Sequence, residues 1–200
     1  MDIKIEGVKE TRKAIRTFAP DLSKQLDIEL RLALSPIVKK ARGFVPSDSP
    51  MSGWAARSFN EGTFPTYNSK QIRSGIGFST KPGKTTWSGF TSNAKIYNRS
   101  FAGAIYETAG RANPEGQPWV GNKAGGTSKK VSRSINPRAG AQFIENLPEL
   151  TNSLKGRGRL IYKAWALDQG KAYGAAIKAI DKAEAAFMKR AESQTFRRAA

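Results

Sequence analysis

A chain of 200 residues without Cys or His has to do any chemistry with carboxylates, lysines and hydroxyls. Lack of Cys removes disulfides, thiol nucleophiles and thiolate metal sites, and lack of His removes the commonest general base and metal ligand. Glu107, Glu115, Glu145, Glu149 and Asp168 could supply a carboxylate pair for acid-base or divalent-metal work. They show no compact spacing and fall in different expected elements, so the expectation is a protein that is not an enzyme, with no catalytic, cofactor or metal residues. Gly121 and Gly126 have phosphate-loop spacing, but Thr127 stands where the lysine belongs and Pro118 undermines a preceding core strand. Gly83, Lys84 and Thr85 end like such a loop, yet Phe78 replaces its first glycine.

Charge is the next constraint. Lys and Arg number 34 against 16 Asp and Glu, a formal +18, which suits a polyanion, an anionic surface or an acidic protein partner. The cations are spread along the chain, from Lys4 and Lys9 to Arg198, as solvated surface charge also would be. Lys129, Lys130 and Arg133, with Arg138 beyond and Lys155, Arg157 and Arg159 further on, are the candidates for polyanion contact, where each phosphate adds salt-dependent affinity. No run approaches the roughly 18 apolar residues of a membrane span, and MDIKIEGVKE lacks the pattern of a signal peptide. No membrane partner and synthesis in the cytoplasm are expected.

The elements that would position these residues are read from periodicity. Ile3 and Ile5 alternate with polar neighbours as a short strand. Val8, Thr11, Ile15 and Phe18 keep helical spacing, and Pro20 with Asp21 recaps a longer helix carrying Leu22, Leu26, Leu30, Ala33, Ile37 and Ala41. Ile28, Leu32 and Leu34 widen that stripe, as in a helix covered on more than one side, and Pro36 predicts a kink or a break. Residues 43–70 are irregular but aromatic: Trp54 and its neighbours form either a satellite core or contacts buried on assembly. Ile72, Ser74, Ile76 and Phe78 read as a strand, with Thr85 to Phe90 as its hairpin partner. Lys95 to Ile105 supplies a further strand or pair, and Phe101 to Trp119 the last strand and the loop it enters. On that strand Glu107 lies at the end. Residues 111–158 form a long basic insertion, whose length implies a function or a partner. Residues 159–192 form a terminal helix, with Tyr173, Ala176, Ile177, Ile180, Ala183, Phe187 and Ala191 as its stripe. The expected fold is a single α+β domain over 1–200: a small antiparallel sheet of three or four strands against a long N-terminal and a long C-terminal helix, with large loop insertions.

Several of these stretches resemble the head-tail joining, or tail-completion, proteins of long-tailed bacteriophages. IKIEGVKETRKAIRTF is similar to that family's opening strand and helix, IELRLALSPIVKKARGFVP to its long helix ending in Val-Pro, and GRLIYKAWALD to its last helix opening. FAGAIYETAG resembles its late-strand signature, with Tyr106, Glu107 and Gly110 in the matching places. The chain departs from the family in the longer segment 47–78 and in the insertion after Gly110. The resemblance implies a structural virion protein of the neck, made in the host cytoplasm. It implies a homo-oligomeric, sixfold ring between the head connector or stopper and the tail-tube protein, close to packaged DNA. Glu107 would then pair with a basic residue of its own or the next subunit, and Trp54 and Trp119 are candidate assembly contacts. A basic nucleic-acid-binding protein is the alternative.

Overall fold

Pro20 opens helix α1 (Pro20–Gly43) with its ring pre-set for the first turn, and Asp21 at that end with Lys40 and Arg42 at the other complement the helix dipole. In a computed structural model that describes residues 13, 16–17, 19–51, 53–55, 65–81, 94–120, 131, 136–153, 156–168 and 170–199, with side chains to 193, α1 is the long N-terminal helix. Leu22, Leu26, Leu30, Leu34, Ile37, Val38 and Ala41 are buried along it, at the expected spacing. The helix continues through Pro36, which lies on the exposed side, where water can satisfy the carbonyl that the missing N–H leaves unpaired. The opening strand at Ile3 and Ile5 lies outside the described residues.

The remaining described elements are α2 (Ser69–Gly75), β1 (Ile76–Ser79), β2 (Lys95–Asn98), α3 (Phe101–Thr108), α4 (Ala139–Glu145), β3 (Thr151–Ser153), β4 (Gly156–Gly158), α5 (Ile161–Asp168) and α6 (Lys171–Ala199). The α+β class and the long terminal helices are as the sequence indicates. The four strands make two separate pairs, β1 with β2 and β3 with β4. The second pair is antiparallel, with Thr151 opposite Gly158 and Ser153 opposite Gly156. Where one domain is expected, the chain divides into two compact units, residues 1–37, 78–96 and 168–200 in one and 38–77 and 97–167 in the other.

In the first unit Ala19, Leu22, Leu26 and Leu30 pack with Ala179 and Ala183 of α6, flanked by Ala176, Ile180, Ala186 and Phe187. The expected stripe of α6 is thus largely correct, but Tyr173 is exposed and Ala172 is buried in its place. Arg190 donates to Asp21 at 2.7 Å across the two helices. The terminal helix does not run unbroken from 159 to 192: α5 ends at Asp168, and α6 starts at Lys171. Gly170 has a φ of 77°, a conformation in which most side chains are strained.

In the second unit the irregular aromatic segment condenses on Trp54. This side chain is fully buried, and its Nε1 donates to the Pro65 carbonyl at 2.9 Å. Its ring centroid lies 5.1 Å from that of Tyr67 and 5.2 Å from that of Phe143, offset and edge-on geometries that aromatic pairs favour. Tyr67 in turn donates its hydroxyl to the Pro46 carbonyl at 2.7 Å. Of the two readings of this segment, Trp54 fits the satellite core, its side chain buried within its own chain. Phe59 and Phe64 lie outside the described residues.

Two strand assignments are corrected to helix. Residues 72–75, read as the first half of a hairpin, form the end of α2, and β1 pairs with β2; Pro82 to Phe90 lie outside the described residues. Phe101 to Thr108, read as the last strand, is α3. The apolar residues concerned, Ile72 with Ile76 and Ala102 with Tyr106, are four apart, a spacing that shares one face in a strand and in a helix alike. The caps break the tie. Asn68 accepts from the Gln71 N–H and Ser100 from the Gly103 N–H, each satisfying a donor that a helix start leaves orphaned.

Candidate functional site

Tyr106 and Glu107 stand on the buried side of α3, and both are nearly inaccessible to solvent. The Glu107 carboxylate reaches the start of α5. Its Oε2 accepts from the N–H groups of Leu160 and Ile161, the latter at 3.2 Å, and its Oε1 from the N–H of Tyr162 at 2.9 Å. These are donors that the first turn of a helix cannot pair internally, at the end where the dipole favours negative charge. Glu107 is thus an N-terminal cap supplied by a different helix. It does not lie at a strand's end; its hydrogen-bond partners are backbone amides, and the cations of Arg111 and Arg159 act on it through space.

Arg159, immediately before α5, returns the contact. Its Nη1 donates to the carbonyls of Tyr106 at 3.0 Å and Ala109 at 2.8 Å, and its Nε donates to that of Pro148. The last carbonyls of α3 are orphan acceptors, which a cation at that end satisfies. α3 and α5 therefore cap each other, acid to N-terminus and base to C-terminus, with only 4 % of Arg159 and 5 % of Glu107 exposed. Burial pushes the Glu107 carboxyl upward against the pull of the three amides and of Arg111. Burial likewise lowers Arg159, while Tyr106 and Glu107 act in the opposite sense. Burial of Tyr106 raises its phenol.

Two glycines make room for this junction. A Cβ on Gly158 would lie 2.3 Å from Oε1 of Glu107, so any side chain there displaces the carboxylate. Gly110 has a φ of 82° and turns the chain out of α3 into the insertion. The insertion it leads into carries α4 and the β3–β4 pair, so residues 111–158 are partly regular.

Of the other acidic candidates, Asp168 follows the same pattern. Asp168 accepts from the Ala172 N–H at 2.6 Å, a cap for α6. Glu115, Glu145 and Glu149 are exposed. Among the described residues, no three of His, Cys, Asp and Glu are grouped as a metal site, and no helix is long and apolar enough to cross a membrane.

The basic residues divide. Arg159, read as a polyanion contact, is buried against carbonyls and corrected to a structural role. Arg157 donates to the Arg111 carbonyl at 3.0 Å and Arg111 to that of Arg157, with the Arg111 guanidinium 4.6 Å over the Tyr162 ring. Arg42 donates twice to the Ile76 carbonyl and Arg73 to that of Val45. Arg138 is exposed and 3.9 Å from Glu145. Lys129, Lys130 and Arg133 lie outside the described residues. Trp119 is 46 % exposed, in the segment leading from the Gly110 turn.

Sequence reasoning placed Tyr106, Glu107 and Gly110 together but missed Arg159 and Gly158 as their partners. The available signal was GRGRL before an apolar helix: an acid-lacking helix start needs a cap from elsewhere, and a glycine beside it allows one to approach. Comparison with known proteins finds no matching family model, no matching curated protein and no matching solved structure.

Proposed function

We propose that this chain is a structural virion protein of the head-tail interface of a long-tailed bacteriophage. It would form a ring that joins the head connector to the tail tube, or that completes the tail. The observation that carries this reading is the use made of Tyr106, Glu107 and Gly110, the residues on which the resemblance rests. Tyr106 and Glu107 are buried, Glu107 and the carbonyl of Tyr106 join α3 to the start of α5, and Gly110 turns the chain away. A signature spent on architecture supports a scaffold role and no catalytic one. Head-to-tail contacts that close into a ring need extended, dissimilar surfaces on each subunit; exposed Ile28 and Leu32 on α1 and exposed Trp119 and Val120 are apolar residues suited to them.

The test is negative-stain imaging and mass measurement of the purified protein, alone and mixed with the head-connector and tail-tube proteins of the same gene cluster. Concentration-dependent rings or a stable complex are expected. A monomer at all concentrations that binds neither protein overturns the reading. The formal charge of +18 favours a second reading, a basic nucleic-acid-binding protein. That reading expects the monomer to bind free duplex with an affinity that falls steeply with salt, whereas the neck reading expects weak binding without sequence preference.

A further inference from the structure

Where α2 ends and α3 begins, the second unit has a cleft of about 520 Å³, lined among others by Pro65, Gln71, Ser74, Arg99, Phe101 and Ala102. None of these residues takes part in the Glu107–Arg159 junction. Phe101, the first residue of α3, is 82 % exposed, an unusual placement for a phenyl ring on a well-capped helix start. Arg99 is exposed, with its guanidinium 4.8 Å over the Tyr97 ring, and its backbone N–H donates to the Gly75 carbonyl at 3.0 Å. The cation is thus carried on backbone fixed to the end of α2 and has its side chain leaning on an aromatic face.

Among the described residues, the lining includes this one charge and no carboxylate. Its volume is that of a site for a small ligand or a peptide anchor. A groove for single-stranded nucleic acid tracks a row of phosphates with several cations beside its stacking aromatics; here the described lining holds one guanidinium beside one phenyl ring. That pairing matches one carboxylate next to one apolar side chain. The surplus of cations over acids in the chain, 34 against 16, points to a partner of opposite charge.

The geometry points to a docking site for an extended, acidic segment of a partner protein. The segment lays an apolar side chain against Phe101 and Ala102 and sets the neighbouring carboxylate on Arg99, with Gln71 and Ser74 at the polar rim. Nothing in this depends on ring formation. A fluorescently labelled hexapeptide of alternating leucine and aspartate, titrated into the full chain and followed by anisotropy, tests it. Saturable binding is expected, weakened about tenfold or more by Phe101→Ser, by Arg99→Gln and by asparagine in place of the peptide's aspartates. Both substituted positions are exposed, so circular dichroism should be unchanged, and a variant that fails this control is replaced by Phe101→Gln or Arg99→Met. Absence of binding, or binding that both variants leave intact, overturns the proposal. So does a short oligothymidylate that binds in a Phe101-dependent way when the peptide does not, which would assign the cleft to nucleic acid.

Discussion

Glu107→Gln keeps the length and shape of the side chain but turns one carboxylate oxygen into an NH2 group facing backbone N–H donors. With three amides depending on that carboxylate, the substitution should cost about 1–3 kcal/mol, read as a lowered urea midpoint with an unchanged slope, and it should remove no reaction. Gly158→Ala should match it by a different route, since the new methyl overlaps Oε1 of Glu107 and overpacking of this kind costs about 1–3 kcal/mol. If the two effects are combined in one chain, they should fall short of additivity, because both act on the same carboxylate. Tyr67 offers a test by titration. Burial, with Tyr106 nearby, pushes its phenol up from about 10 to about 12, so the folded state holds this proton more tightly than the unfolded state. Its contribution to stability is then fully present below pH 10 and is lost as pH rises towards 12. A phenolate absorbance titration should resolve a late-ionising tyrosine that Tyr67→Phe removes.

At the scale of elements, the break between α5 and α6 depends on Asp168 and Gly170. Asp168→Ala removes a cap and should cost about 1 kcal/mol, visible as lost helicity and an earlier thermal midpoint. A substitution of Gly170 by Ala, at a φ of 77°, should cost a similar amount, about 1 kcal/mol. Elements with a long unambiguous stripe were legible from sequence: Leu22, Leu26 and Leu30 specify α1, and Ala176, Ile180, Ala183 and Phe187 specify α6. Elements whose apolar residues are few and four apart were not. Ile72 with Ile76 and Ala102 with Tyr106 fit either period, and the deciding information sits in Asn68 and Ser100, polar residues with no hydrophobic signal. The junction was half legible for a related reason. Glu107 stood out as an acid in an apolar stretch, but Arg159 looked like one of several surface cations, because a sequence does not show which guanidinium will be surrounded by carbonyls.

For the whole molecule, the charge of +18 overstates what is offered to a partner. Arg42, Arg73, Arg111, Arg157 and Arg159 each donate to backbone carbonyls of their own chain, so part of the basic content holds segments together. If the proposed neck role holds, association with connector or tail-tube proteins should therefore weaken only moderately between low and physiological salt, in contrast to the steep dependence of a phosphate-tracking protein; light scattering across a salt series would measure this. The mutual capping of α3 and α5 also bears on how the second unit opens. Each helix has eight residues, too few to persist alone in water, and each supplies the side chain that finishes the other. Neither can fray by itself, so native-state hydrogen exchange should release the amides of Leu160, Ile161 and Tyr162 together with those of the last turn of α3, as one cooperative unit with one opening free energy.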